Sequence, residues 1–191
     1  DEGATSLMHA SMHGLWGVVE LLVAAGANLD LINKENKTAL DLSLQNPLAI
    51  DGDKMAAVVG VLCKHSLRAA AQVGDAELVA EHIAREGADL AARDGCGRTA
   101  LVVACAHGHE KAAAHLVVPT HATGAINVVG GDGFSALLWA EERGLDGVAQ
   151  SLRECGAAVV NQPALALVAF AGAGGAMLLT TVESLGRVGG G

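Results

Sequence analysis

Four residues with metal-binding side chains lie close together in the middle of the chain: Cys105, His107, His109 and His115. Cysteine and histidine are the usual ligands of zinc, which requires four donors that converge as a tetrahedron. Whether these four side chains can meet around one ion depends on the helices and turns that carry them, so the motif by itself does not establish a zinc site.

Three further motifs match chemical sites only in part. Asp51-Gly52-Asp53 resembles the start of a calcium loop, but it lacks the further oxygens and the closing glutamate of an EF-hand. Gly172-Ala173-Gly174-Gly175 is rich in glycine, but no Lys-Ser or Lys-Thr pair follows, as a phosphate loop requires. No serine lies in a G-x-S-x-G setting. We therefore predict no catalytic residue and no cofactor.

The composition favours a stack of small helices. The chain has 191 residues, of which 51% are hydrophobic but only 2% aromatic, so Ala, Leu and Val must form the core. Small side chains let short helix pairs approach closely. The net charge is −9 and no Lys/Arg cluster is present, so nucleic acid is not an expected partner. Four scattered cysteines without a CxxC pair favour an intracellular, cytoplasmic protein.

One sequence pattern recurs along the chain. In its clearest copy, Asp94 to His109, Thr99 is placed to start a short helix, and Gly97 and Gly108 hold the turns on either side. Related stretches begin at Thr5, Thr38 and Ser135, and the first two are 38 − 5 = 33 residues apart. The pattern resembles the ankyrin repeat, roughly D-x-x-G-x-T-P-L-H-x-A-A-x-x-G-H, then an apolar helix and G-A-D, over about 155 residues.

The resemblance implies an all-α solenoid of stacked antiparallel helix pairs, connected by short hairpin fingers. We expect about five repeats. Residues 1–65 are predicted to form repeats one and two, with an insertion in repeat two around residues 46–53. Residues 66–160 are predicted to form repeats three to five. Repeat three lacks the residues of a finger, so two sub-arrays are expected to meet near His65.

The pattern also makes two local predictions. Val18, Val19, Leu21, Leu22 and Val23 are expected to form the apolar face of the second helix of repeat one. Pro119 is expected to end the second helix of repeat four, because proline removes a backbone N–H and clashes with the preceding turn.

Residues 161–191 have several interpretations. Leu165 to Gly172 resembles the first helix of a repeat, which predicts a degenerate capping repeat that shields the last apolar face. Residues 164–182 contain no charged side chain and are long enough for a membrane span, although Ala, Gly and Thr favour insertion only weakly. A flexible tail is the third alternative, especially for residues 187–191.

In this family a concave groove, lined by the fingers and the first helices, binds other proteins, so the resemblance implies a protein partner and no small-molecule substrate. The predicted partner-binding residues are Met12, His13, Lys34, Glu35, Lys37, Gln72, Cys96, Arg98, His107, Asp132, Phe134 and Arg143. The same resemblance places Cys105 inward, His109 in a turn and His107 on another side. We therefore predict no metal site among them.

The expected function is that of a non-catalytic adaptor or scaffold. Two alternatives stay open at this point. The chain could be the regulatory ankyrin segment of a larger enzyme or channel, or it could be a scaffold tethered to a membrane through residues 164–182.

Overall fold

In the computed structural model, residues 3–45, 52–85 and 88–158 are described, and they form a row of short helices. The ten α-helices of this part are α1 (Ser6–Met12), α2 (Trp16–Ala24), α3 (Ala39–Leu44), α4 (Gly52–His65), α5 (Leu67–Val73), α6 (Ala76–Ala84), α7 (Ala100–Ala106), α8 (Glu110–Ala122), α9 (Ala136–Glu142) and α10 (Asp146–Glu154). A 3-10 turn, Ala125–Asn127, follows α8. The all-α fold expected from the sequence is confirmed.

Short polar side chains cap the N-terminal ends of α1, α3, α7 and α9. The Thr5 and Thr38 hydroxyls accept hydrogen bonds from backbone N–H groups in the first turns of α1 and α3. Thr99 and Ser135 do the same for α7 and α9. At Thr38 the bond is reciprocal, because Asp41 accepts from the Thr38 N–H at 2.8 Å. Such caps pair N–H groups that have no partner within the helix.

The helices form two layers. In the inner layer, α1 packs against α3, and α7 packs against both α5 and α9. In the outer layer, α2 packs against α4, and α8 packs against both α6 and α10. Small buried residues lie at these contacts, among them Ala70, Ala71, Ala104, Ala112, Ala113, Ala136 and Ala140. Each pair therefore buries its apolar face against its neighbours.

The junction between α4 and α5 departs from the regular repeat. One residue, Ser66, separates the two helices, so no finger is formed between them. The buried Arg68 at the start of α5 instead forms an ion pair with Asp30. Gln72 Nε2 donates to Asp41 Oδ1 of α3 at 2.6 Å. Polar side chains thus help to hold the third repeat against the preceding part of the stack.

Two local predictions are wrong. Of the predicted apolar face of α2, Val19 is buried, and Leu22 and Val23 pack partly against the core. Val18 and Leu21 are instead exposed, because no described outer helix covers the side of α2 on which they lie. Pro119 does not end its helix, since α8 continues to Ala122. It lies inside the helix near its C-terminal end, so the carbonyl of His115, four residues earlier, lacks the backbone donor that another residue would supply.

Several predictions fall outside the described residues. They include the main part of the insertion (46–51), Asp51 of the calcium-like motif and the whole of residues 161–191. Within the described ranges, none of the helices has the length and the hydrophobicity that a membrane span requires.

The Thr99 cap gives a direct test of how the helices begin. Thr99→Ala should lower the free energy of unfolding by about 1–2 kcal/mol, because the buried N–H of Val102 in the first turn of α7 loses its acceptor. Thr99→Ser keeps the hydroxyl and should lose less than half of that amount. Urea unfolding followed by circular dichroism measures both, and equal losses in the two variants would contradict the capping role.

Candidate protein-binding groove

Three fingers line one side of the groove, at residues 33–37, 94–98 and 130–134. Each is closed by a backbone hydrogen bond of 3.0 Å from its first residue to its last. Each also contains one residue with a positive φ angle: Asn36, Gly97 and Gly133. Asparagine and glycine tolerate this left-handed conformation better than other residues. The fingers therefore have defined shapes that come from their own sequence.

The N-terminal part of the groove contains a cavity of about 410 Å³. Its walls come from α1, α3 and the first finger: Ala4, Met8, His9, Met12, Asn33, Lys34, Glu35 and Leu42. Three predicted residues, Met12, Lys34 and Glu35, are thus brought together. Met12 is half-buried on this wall and can adapt to an apolar side chain, whereas Met8 is buried and its sulfur accepts the Thr5 N–H.

The other predicted residues of this part lie nearby. His13 caps the end of α1 and is exposed. Lys37 is half-buried at the end of the first finger, where its backbone N–H donates to Asn33 Oδ1 at 3.0 Å.

In the centre of the groove, the predicted residues are held by contacts within the chain. Arg98 forms an ion pair with Asp94 at 2.9 Å, and Gln72 bonds to Asp41. The carbonyl of Cys96 accepts a hydrogen bond of 2.6 Å from Gly131 of the next finger. These side chains and this carbonyl therefore position the fingers and helices. The sequence pattern did not reveal this structural role.

His107 and His109 also differ from the sequence-based prediction. The prediction placed the two residues apart, whereas their rings stack with centroids 6.2 Å apart. His109 Nε2 lies 2.8 Å from the Gln72 carbonyl oxygen of the preceding repeat, which can only accept, so this nitrogen carries the proton. His107 Nδ1 similarly donates to the Val103 carbonyl at 2.9 Å. His107 is exposed, so the Nε2 edge of its ring is accessible to a partner.

The C-terminal part of the groove carries an aromatic and cationic cluster. The Phe134 ring, 37% exposed, lies 4.8 Å from the ring of Trp139. The Arg143 guanidinium carbon lies 5.5 Å from the centroid of the same Trp139 ring. Asp132 shapes the finger, since its carboxylate accepts from the Phe134 N–H at 3.0 Å.

Trp139 joins the two predicted residues, although it was not itself predicted to bind a partner. The chain has two tryptophans in a sequence that is only 2% aromatic, and this rarity is the signal that could have identified Trp139. Its ring holds Phe134 and Arg143 in fixed positions. Among the described residues, Arg143 has no carboxylate partner, so its donors remain available.

Three of the four thiols, those of Cys63, Cys96 and Cys105, have a raised pKa, which makes them less reactive. Burial raises the pKa of the Cys105 thiol to about 12 and that of Cys63 to about 11, from an ordinary value of 9.0. Burial is also the main cause of the raised pKa of Cys96. In the described ranges, no three His, Cys, Asp or Glu side chains form a group that could hold a metal ion.

Comparison with known protein families agrees with the geometry. A model of three consecutive ankyrin repeats matches residues 67–163, and a model of a single ankyrin repeat matches residues 2–34. The chain belongs to the ankyrin repeat family. Ankyrin repeats are in general protein–protein interaction modules and are typically non-catalytic. No curated protein shows significant similarity to the chain.

The contact between His109 and Gly74 tests how neighbouring ankyrin repeats are held together. A Cβ at Gly74 would lie 2.4 Å from His109 Nδ1, and the residue also has φ +83°. Gly108 has a similar φ, +78°, but nothing lies within 4 Å of a Cβ built there. Gly108→Ala should therefore cost about 1–2 kcal/mol from backbone strain alone.

Gly74→Ala should cost about 1–3 kcal/mol more than Gly108→Ala, because the ring of His109 must also move. Urea unfolding measures the difference between the two variants. Equal losses would show that the His109 ring is not fixed against Gly74.

Thiol labelling tests the burial of the core between the ankyrin repeats. With iodoacetamide at about pH 8, close to the ordinary thiol pKa, Cys63 and Cys105 should remain unmodified in the folded protein. Both should react once urea unfolds the chain. Mass spectrometry identifies the labelled positions, with the half-buried Cys155 as the internal comparison. Rapid labelling of Cys105 before Cys155 would contradict the assignment of α7 to the core.

Proposed function

We propose that this protein is a non-catalytic adaptor or scaffold that holds a protein partner in its groove. The observation that carries the proposal is the cluster of Phe134, Trp139 and Arg143. Aromatic and arginine side chains that are already ordered lose little conformational freedom on binding, and such residues dominate the energy of many interfaces. Phe134 and Arg143 are exposed, and Trp139, which packs partly against the core, holds them side by side.

The two ends of the groove suit different parts of a partner. At the C-terminal end, the guanidinium of Arg143 matches a carboxylate beside an apolar side chain that contacts Phe134. At the N-terminal end, the cavity lined by Met8 and Met12 accepts an apolar side chain, with Glu35 at its rim. The centre contributes shape and the exposed His107. We infer a partner segment that is apolar at two separated points and acidic near one of them.

The proposal includes an intracellular location. It is supported by the four cysteines, which are free thiols at separate places in the stack. Two of them, Cys63 and Cys105, are buried between helices as single thiols. A regulatory role within a larger enzyme or membrane protein depends on residues beyond those described, and no observation here favours it.

Affinity capture with the full chain tests the proposal. The variant Phe134→Ala/Arg143→Ala removes the exposed parts of the cluster and leaves Trp139 in place. If each side chain contributes about 2 kcal/mol, as anchoring residues do, the affinity for a true partner should fall by at least about tenfold. Binding is measured by quantitative mass spectrometry of captured proteins, followed by titration of the purified partner.

A matched control is available on the opposite surface. Lys111→Ala/His115→Ala changes one cation and one ring on α8, and both residues are exposed there. This control should capture the same proteins as the natural chain. Equal capture by all three proteins would mean that the cluster is not the binding site. A turnover activity that survives the Phe134/Arg143 substitutions would contradict the non-catalytic assignment.

A further inference from the structure

A cavity of about 340 Å³ lies at the junction where the third repeat lacks its finger. Leu29 and Asp30, in the loop before the first finger, line one side of it. Ala88 and Ala92, in the loop before the second finger, line another, and the start of α5 contributes Arg68. All of its lining residues belong to the described ranges and to the interior of the stack. We call this cavity the junction slot, and its volume is in the range of ligand pockets.

The junction slot takes the place of a missing loop. Each of the other connections between an outer helix and the next inner helix contains a loop and a finger, whereas Ser66 alone connects α4 to α5. The helices are also spaced differently here. The contacts of α1 with α3 and of α5 with α7 are close, but α3 makes few close backbone contacts with α5, and α4 makes few with α6.

The last described repeat shows what such a loop contacts. Asn127 precedes the finger at residues 130–134 by 130 − 127 = 3 residues, and its Oδ1 accepts a hydrogen bond of 2.8 Å from the Ala158 N–H of the next turn. Asp30 has the same place before the finger that begins at residue 33, since 33 − 30 = 3. No turn follows α4 to meet Asp30, and its Oδ2 pairs with Arg68 instead. Within the described ranges its Oδ1 has no hydrogen-bond partner.

The residue before Asp30 repeats this difference. Leu29 and Ile126 each precede their fingers by four residues, since 33 − 29 = 4 and 130 − 126 = 4. Ile126 is buried, whereas Leu29 is only half-buried and borders the junction slot. The slot therefore offers a carboxylate oxygen beside an apolar side chain, at the place where the base of a finger would lie.

The charges of the junction slot favour an uncharged occupant. Two guanidinium groups, of Arg68 and Arg85, and two carboxylates, of Asp30 and Asp89, line it together with two histidines. Equal numbers of opposite charges give an ion little net attraction. A peptide backbone suits such a lining better, because each residue supplies one donor and one acceptor.

We propose that the junction slot binds an exposed turn of a protein partner, in which small residues are followed by a branched apolar one. The sequence Gly26-Ala27-Asn28-Leu29 of this chain is an example of such a turn. The N–H of its third residue donates to Asp30 Oδ1, as the Ala158 N–H donates to Asn127, and its apolar residue lies against Leu29. The partner thereby supplies the loop that the third repeat lacks. The slot is separate from the Phe134 cluster, so this contact does not depend on the groove.

The blocked peptide acetyl-Gly-Ala-Asn-Leu-amide tests the proposal on the full chain. A free tetrapeptide loses conformational freedom on binding, so a Kd of about 1 mM is expected. Two-dimensional ¹H–¹⁵N NMR should show saturable shifts at residues 29–30, 66–68 and 88–92. Acetyl-Gly-Ala-Pro-Leu-amide is the matched control: proline has no N–H to donate, so it should bind at least about fivefold more weakly. Absence of saturable shifts, or equal binding of the two peptides, would overturn the proposal.

Substitutions in the chain locate the bound peptide. Ala92→Trp fills the junction slot and should weaken binding at least about tenfold. Ala91→Trp is its matched control, because Ala91 is exposed beside the slot and does not line it. Circular dichroism and the urea midpoint establish that each variant is folded.

Asp30 provides a second test that does not require a bulky residue. Asp30→Asn keeps a side-chain oxygen, as at Asn127, and should retain binding. Asp30→Ala removes the acceptor and should weaken binding at least about fivefold. Equal affinities of these two variants would overturn the proposal. Phe134→Ala/Arg143→Ala should bind the peptide like the natural chain, and a loss in this variant alone would place the peptide in the groove instead.

Discussion

The whole structure depends on close contact between helices that carry small side chains. No helix pair in this chain has enough large residues to build a core alone, since aromatic residues make up 2% of the sequence. Alanines such as Ala104 and Ala113 instead let neighbouring backbones approach, and leucines such as Leu101 and Leu116 fill the space between layers. Stability is consequently shared between neighbours, and each repeat depends on the one beside it.

The same constraint separates structural from exposed residues in the groove. A side chain that is needed to align one repeat with the next, such as Arg98 in its finger or Gln72 at the junction, is occupied by a contact within the chain. Phe134 and Arg143 are held by Trp139, but their outer surfaces face solvent. The groove is therefore uneven: its two ends carry side chains that can meet a partner, and its centre mainly maintains the shape.

Much of the local structure could be predicted from the sequence. Caps such as Thr5 and left-handed glycines such as Gly26 are determined by residues within a few positions of each other, so a short pattern is sufficient to identify them. The inward direction of Leu101 follows from the same pattern. The predicted partner-binding set remains a prediction, although the structure shows which of its members lie together.

The features that were missed depend on contacts between distant parts of the chain. The exposure of Val18 depends on whether a neighbour covers α2, and an apolar pattern on a single helix carries no such information. The stacking of His107 on His109 and the contact of Trp139 with Phe134 depend on rotamers chosen in the folded protein. The expectation for Pro119 failed because a proline removes only one backbone hydrogen bond, and α8 continues past it to Ala122.

The positions of the two tryptophans have a consequence for spectroscopy. Trp16 lies in the first described helix pair and Trp139 in the last described one, and the chain contains no tyrosine. Trp16 is half in solvent, whereas the indole N–H of Trp139 is buried without an acceptor. Their emission should therefore differ in wavelength, and replacing either one by phenylalanine leaves a single native fluorophore. Each would then report the melting of its own helix pair, so that unfolding at two separate places in the stack becomes visible without any attached dye.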